Sequence, residues 1–308
     1  TATTVIYTAR NSSAASDVYK RQLLTYLLAQ HPAIATIGEL KATRMGDVDA
    51  YQCSCGELIR QCPFWTGLTQ RARDAGLEFS VDAFGTVYGE GARFTDRVVR
   101  ALVRGPLFET VRAAALAVLP ERTTRIAAVT HQNLVLSRLV CDMQGGQVFL
   151  DGSKDSARLL HYLRSGEWDI KVIYLQRDGR GVTNSYVKHD RVDYDGAIAY
   201  WKKAVTELQR MRARLDDDMV YDLLYEDLCR EPEERLAAIC GWLGIDEFDH
   251  GRGFDAESQH VLGNRMRLAN VNEIRLDEKW RKLLSSDKLA AFEERAGELN
   301  RTLGYKAA

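Results

Sequence analysis

The feature that most constrains this chain is a short apolar run, Lys171-Val172-Ile173-Tyr174-Leu175, that enters a tight polar turn, Arg177-Asp178-Gly179-Arg180. A run of this length and β-branched content, flanked by helical patterns, reads as a buried parallel strand. Parallel strands need crossover connections and cover on both faces, so the chain is committed to an α/β architecture. In such folds ligands bind in the crevice beyond the carboxyl ends of the strands. The segment from Gly181 to Lys188 can begin a helix there, and its free amides and positive dipole end favour an anion. Arg177 offers a forked donor for a phosphate, and Ser185, eight residues on, can add a hydroxyl.

Other segments supply the rest of the sheet. Gln147-Val148-Phe149-Leu150 predicts a strand ending at Asp151-Gly152-Ser153, and Thr4-Val5-Ile6-Tyr7 predicts an N-terminal one. A further strand is expected from Met219 through Tyr225, although Asp222 interrupts its apolar run. Ile198, Trp201, Val205, Leu208, Met211 and Leu215 recur at three- and four-residue steps, the apolar face of a long helix. Pro232-Glu233-Glu234 opens another helix, with Leu236, Ile239 and Leu243 on one face and Gly244 where a C-terminal cap belongs. Trp280, Leu283, Leu284, Phe292, Leu299 and Leu303 outline the C-terminal helices. Residues 66–145 read as mostly helical, an insertion over the sheet. With no internal repeat or long linker, one domain over residues 1–308 with a helical cap is the economical expectation.

Composition narrows the partners. A net charge of -1 gives no field to steer a nucleic acid, so any phosphate site must come from local arginines and backbone amides. That favours a small phosphorylated ligand. No run approaches a membrane span, and Thr1 to Tyr7 lacks the pattern of a secretory signal. Six cysteines are too sparse for a disulfide scaffold, so a cytoplasmic location is the expectation. Three of them cluster, in Cys53-Ser54-Cys55-Gly56 and Cys62-Pro63-Phe64-Trp65. A structural zinc takes four ligands, and this cluster supplies three with no histidine nearby in the chain. A turn with free thiols or one labile disulfide is therefore expected, and no metal is assigned.

Asp151-Gly152-Ser153-Lys154-Asp155, followed by a helix, the Val172 strand, the Arg177-Asp178-Gly179-Arg180 turn and Ser185, resembles the nucleotide-binding core of the PAPS-dependent sulfotransferases, where PAPS is 3′-phosphoadenosine 5′-phosphosulfate. The likeness is to the bacterial branch and, in the nucleotide core, to the tyrosylprotein sulfotransferases. Leu224-Tyr225-Glu226-Asp227-Leu228 with Pro232, then Trp242-Leu243-Gly244, also match, and the Cys53 to Trp65 segment recurs among bacterial members. The run His260-Val261-Leu262-Gly263-Asn264-Arg265-Met266-Arg267 is similar to the family's late glycine-rich loop. The likeness extends from about residue 23 to the C-terminus. It implies a three-layer, P-loop-like α/β fold, with a parallel sheet flanked by helices and the helical insertion already noted. It further implies PAPS as cosubstrate, with no metal, and a small-molecule, glycan or peptide acceptor bearing a hydroxyl or amine. Arg177 and Ser185 would bind the 3′-phosphate. The loop residues Gly263, Asn264, Arg265 and Arg267 would close over it, and Tyr225 would sit near the adenine. These motifs specify neither the acceptor nor an oligomeric state.

Sulfuryl transfer, like phosphoryl transfer, is an in-line displacement dominated by positioning and charge stabilisation. It needs a base for the acceptor proton and a cation at the leaving oxygen. The stretch His31 to Leu40 resembles a family segment ending in Gly-Glu, which makes Glu39 the base candidate. Lys154 is the cation candidate, since a compact ammonium can follow charge as it develops. His31, His131, His161 and His189 lie in no matching motif.

One hallmark is missing. The family's first strand leads into an Arg-Ser-Gly-Ser/Thr-Thr loop whose amides cradle the 5′-phosphosulfate. Here Leu23-Leu24 follows Ser12-Ser13-Ala14-Ala15-Ser16-Asp17-Val18-Tyr19-Lys20-Arg21-Gln22, and no glycine precedes Gly38. That eleven-residue string resembles a translated sequencing-library adapter, and the expectation is that it replaces the true loop. The chain as written should then keep its fold and 3′-phosphate end, with weak or absent transfer of sulfate. Two other classes remain open: a P-loop nucleotide kinase, whose Gly-x4-Gly-Lys-Ser/Thr string is absent, and a non-catalytic nucleotide-binding protein.

Overall fold

The computed structural model describes residues 3–10, 23–41, 45–89, 93–101, 103–153, 155–249, 260–262 and 274–307, with backbone alone at 3, 4, 6–10, 189 and 190. The chain divides into two compact units. The first comprises Thr1–Thr8, Thr25–Val172 and Phe248–Asn272, and the second Ala9–Leu24, Ile173–Glu247 and Glu273–Ala308.

The first unit holds strand β1 (Thr3–Arg10) up to Thr8, most of a helix α1 over residues 23–29, and β2 (Ile34–Ala35). Helices α2 (Pro63–Asp74), α3 (Phe94–Val99), α4 (Pro106–Ala117) and α5 (Pro120–Gln144) follow. Then come β3 (Val148–Asp151), α6 (Ser156–Ser165) and the first half of β4 (Trp168–Gln176). The strand order is β2-β3-β1-β4. β1 and β3 pair in parallel from Thr4↔Val148 to Tyr7↔Asp151, and β2 pairs in parallel with β3 from Ile34↔Val148. Every residue of β3 is buried, which is why Val148, Phe149 and Leu150 read as an apolar run and not an alternation before Asp151 ends the strand. β2 carries two residues only, too few for a period to show.

The stretch read as helical, 66–145, holds most of α2 and all of α3 to α5, with an irregular passage after Asp74. α2, α4 and α5 each begin on proline at the first helical turn, where a missing N–H costs nothing. α5 closes on Gly145 at φ 72°, a left-handed cap that suits glycine.

The second unit contains the rest of β4, α7 (Gly179–Asp190), α8 (Tyr194–Arg212), β5 (Val220–Leu224), α9 (Tyr225–Arg230), α10 (Pro232–Leu243), α11 (Trp280–Leu283) and α12 (Ser286–Thr302). β5 lies beside β4. Its core is the face predicted for α8, Ile198, Trp201 and Val205, packed with Val182 of α7 and with Phe292 and Ala296 of α12. Asp222, which breaks the apolar run of β5, is exposed, so the polar residue costs the strand nothing. The predicted strand is one residue too long at each end: Met219 closes a 3-10 turn and Tyr225 begins α9. Among the described residues no helix is long and apolar enough to cross a membrane.

Candidate functional site

The turn after β4 separates two roles among its charged residues. Asp178 caps α7, its carboxylate accepting from the Arg180 amide at 2.9 Å. The same carboxylate takes the Arg180 guanidinium at 2.9 Å through Nε and 2.6 Å through Nη2, and Asn300 Nδ2 at 3.3 Å. Arg180 also donates to the Lys306 carbonyl at 3.1 Å and lies over the Trp280 ring. Asp178 and Arg180 are thus a buried ion pair that ties the turn to the C-terminal helix. Gly179 is required between them: a Cβ there would stand 2.5 Å from Trp201 and 2.7 Å from Phe292. Its amide donates to Asn300 Oδ1 at 2.9 Å.

Arg177 faces elsewhere. Its guanidinium, only 5% exposed, donates to Ser185 Oγ at 3.4 Å, to the Asp277 carbonyl at 3.0 Å and to Asp277 Oδ2 at 3.4 Å. The spacing of eight residues works because Ser185 lies on α7, where its hydroxyl returns to the Gly181 carbonyl. Gly181 leaves the guanidinium room: a Cβ there would lie 3.0 Å from Arg177 Nη2. The ring of Tyr225 stacks beneath Arg177, 5.3 Å from Cζ. The Tyr225 hydroxyl donates to the Arg275 carbonyl and accepts from the Asp277 amide, and burial pushes its pKa up. The structure therefore brings Arg177, Ser185 and Tyr225 into one buried cluster. Asp277 belongs to that cluster and was missed by the sequence reading, because it lies 100 residues away with no motif around it.

In the first unit, Glu39 sits in a loop pinned to the turn after β3. Gly38 donates to Thr36 Oγ1 at 2.9 Å and accepts from the Gly152 amide at 2.7 Å. The Leu40 amide donates to Asp151 Oδ1, and the Lys41 amide to Ser153 Oγ at 2.8 Å. Lys41 pairs with Asp155, the N-cap of α6, at 2.6 Å. Asp151, fully buried, is held from the other side by Arg158 at 3.1 Å. Both glycines are dictated by this close approach. Gly38 has φ 83°, and a Cβ on it would lie 2.5 Å from the Leu262 carbonyl. One on Gly152 would meet the Gly38 carbonyl at 2.8 Å. Glu39 is half-buried, and its neighbours Leu40 and Lys41 are the residues bonded to Asp151 and Ser153.

Lys154, Gly263, Asn264, Arg265 and Arg267 lie outside the described residues, as does the string 12–22 between β1 and α1. The count of three metal-type ligands needs correction. His260, about 200 residues away in sequence, joins Cys53, Cys55 and Cys62, and the four donor atoms lie within 4.8 Å of one another. Counting neighbours along the chain could not find it.

Parallel strands linked through helices, with polar turns at their carboxyl ends, define an α/β protein. A model of the sulfotransferase family matches residues 22–250, and the chain belongs to that family. The sulfotransferase domain from the curacin biosynthetic pathway shares 15% identity at a TM-score of 0.50, over 99% of this chain and 98% of that one. It shows the same P-loop-like fold. The sulfotransferase domain of the Synechococcus PCC 7002 olefin synthase is 19% identical, with a TM-score of 0.47 over 99% and 95% of the two chains. A sulfotransferase from Alicyclobacillus acidocaldarius is 12% identical, with a TM-score of 0.43 over 99% and 97%. No curated protein matches the chain.

Proposed function

We propose that the chain takes a sulfuryl group from PAPS to a hydroxyl or amine acceptor, with Arg177 and Ser185 holding the nucleotide's 3′-phosphate. The observation that carries this reading is the buried Arg177–Ser185 pair in a strand-end turn of a sulfotransferase-family chain. A guanidinium with so little water around it needs an anionic partner, and the Asp277 carboxylate fills that need while standing where a phosphate oxygen could replace it. Tyr225, stacked under the guanidinium, is assigned a place near the adenine on family resemblance. On family resemblance the loop Gly263, Asn264, Arg265 and Arg267 serves the same nucleotide.

Glu39 is assigned as the base that accepts the acceptor's proton, and Lys154 as the cation at the oxygen that leaves. The backbone around Glu39 is fixed through Gly38, Leu40 and Lys41 to Gly152, Asp151 and Ser153, the residues that precede Lys154 in sequence, which supports assigning the two as a pair. In the transfer the acceptor oxygen or nitrogen bonds to sulfur and gives its proton to Glu39 as the bond from sulfur to the nucleotide's 5′-phosphate oxygen breaks. In sequence the string 12–22 takes the place of the phosphosulfate loop, so transfer should be weak or absent while nucleotide binding is retained.

Titration calorimetry with 3′-phosphoadenosine 5′-phosphate, the desulfated product, tests the reading on the full chain. Arg177→Ala should cost about 2–4 kcal/mol of binding, some 30- to 1000-fold in affinity. ATP, which lacks a 3′-phosphate, should bind far more weakly than the product. Equal affinity of the variant and the parent chain, or a preference for ATP, overturns the assignment.

A further inference from the structure

The geometry points to a structural zinc site built from Cys53, Cys55, Cys62 and His260. Three separate stretches of chain converge on it. Residues 52–58 form a tight reversal: Gln52 and Leu58 bridge antiparallel, the Cys53 amide donates to the Glu57 carbonyl, and Gly56 turns at φ 89°. This reversal presents two thiols from one turn. Cys62 is the N-cap of α2. His260 is delivered by the third stretch, which is anchored on either side of the cluster. The Val261 amide donates to Ser54 Oγ at 2.8 Å, and the Leu262 amide to the Ile37 carbonyl at 2.8 Å. The imidazole stacks on Phe64, centroids 4.6 Å apart and planes 4° off parallel.

The distances discriminate between chemistries. With Zn–S near 2.3 Å and Zn–N near 2.0–2.1 Å, tetrahedral angles place two sulfurs about 3.8 Å apart and a sulfur about 3.5 Å from a nitrogen. Cys55 and Cys62 sulfurs are 3.7 Å apart. The Nδ1 of His260 is 3.4 Å from the Cys62 sulfur and 3.6 Å from that of Cys53. A disulfide would need sulfurs at about 2.05 Å. Three thiolates and one imidazole make a closed, four-ligand set of the structural kind, leaving no open position for catalysis. The indole N–H of Trp65 donates to the Cys53 sulfur at 3.3 Å, the outer-shell contact expected at a metal-bound thiolate.

The site has a consequence for the first unit. Leu262 is bonded to Ile37 and pressed against Gly38, so the metal fixes the stretch that backs the Gly38-Glu39 loop. Its role is to hold that loop in place.

Elemental analysis of the purified full chain should give about one zinc per chain. Metal-free protein titrated with Co(II) should show thiolate charge-transfer and tetrahedral d–d bands, which zinc then abolishes. Cys55→Ser should weaken zinc binding at least about 100-fold, and His260→Cys, which restores a four-sulfur set, should retain it. Should Cys55→Ser fail to fold, the cobalt titration of the parent chain decides alone. Absence of zinc together with absence of the tetrahedral spectrum overturns the site. So does iron with acid-labile sulfide, or a Cys55–Cys62 disulfide in protein purified without oxidant.

Discussion

Replacing Asp178 with alanine removes the one carboxylate that, among the described residues, pairs with Arg180, a residue only 5% exposed. Arg180 would keep its bond to the Lys306 carbonyl and its place over Trp280, but neither carries negative charge. Breaking a buried pair by removing one partner costs about 3–5 kcal/mol, because the remaining charge stays desolvated. The same substitution strips the cap from α7, a loss of about 1 kcal/mol on its own. Against a typical total stability of about 5–15 kcal/mol, Asp178→Ala should therefore be severe in urea-unfolding measurements. Adding Arg180→Met removes the stranded charge and leaves an apolar chain to pack on Trp280. The double variant should recover most of the loss and retain mainly the cost of the lost cap. Two results would refute this reasoning: a single-variant cost below about 1 kcal/mol, or a double variant no more stable than the single one.

Gly179→Ala should destabilise by about 1–3 kcal/mol in the same assay, since its Cβ would overlap Trp201 and Phe292; a neutral effect would mean that this core yields. His161 is predicted to make stability pH-dependent. Burial holds its pKa down at about 4, and its Nε2 lies 3.2 Å from the Val99 carbonyl. A depressed folded pKa leaves the unfolded chain binding the extra proton first. The contribution is therefore intact above the unfolded value of about 6.5 and is lost as pH falls toward 4. Between pH 7 and pH 5 it amounts to about 2 kcal/mol, and His161→Gln should flatten the measured slope by that amount.

Local pattern was enough to expose much of the framework. β3 and the second half of β4 were legible because strand segments buried on both faces carry apolar runs, and α8 because its apolar residues keep the helical period. Pro232 and Gly244 marked the two ends of α10 through fixed backbone preferences. β2 escaped notice, since two residues cannot display a period. Tyr225 was read as strand because an aromatic residue suits either element, and only the start of α9 assigns it.

Within the Arg177-Asp178-Gly179-Arg180 turn the sequence by itself determined that cations and an anion stand at a strand end before a helix. Their division of labour was decided by tertiary packing. Asp178 and Arg180 neutralise each other because Asn300, Trp280 and Lys306 enclose them, whereas Arg177 turns toward Ser185 and Asp277. The cysteine cluster makes the same point over a longer range. Cys53, Cys55 and Cys62 are close in sequence, but a ligand set is defined by distances of a few ångströms in space. His260 meets that condition only because the bonds from Val261 to Ser54 and from Leu262 to Ile37 bring a remote segment back onto the turn. Periodicity and spacing report which faces are apolar and where chain direction changes. Which charge loses its water, and which donors converge, follows from packing among segments far apart in the chain.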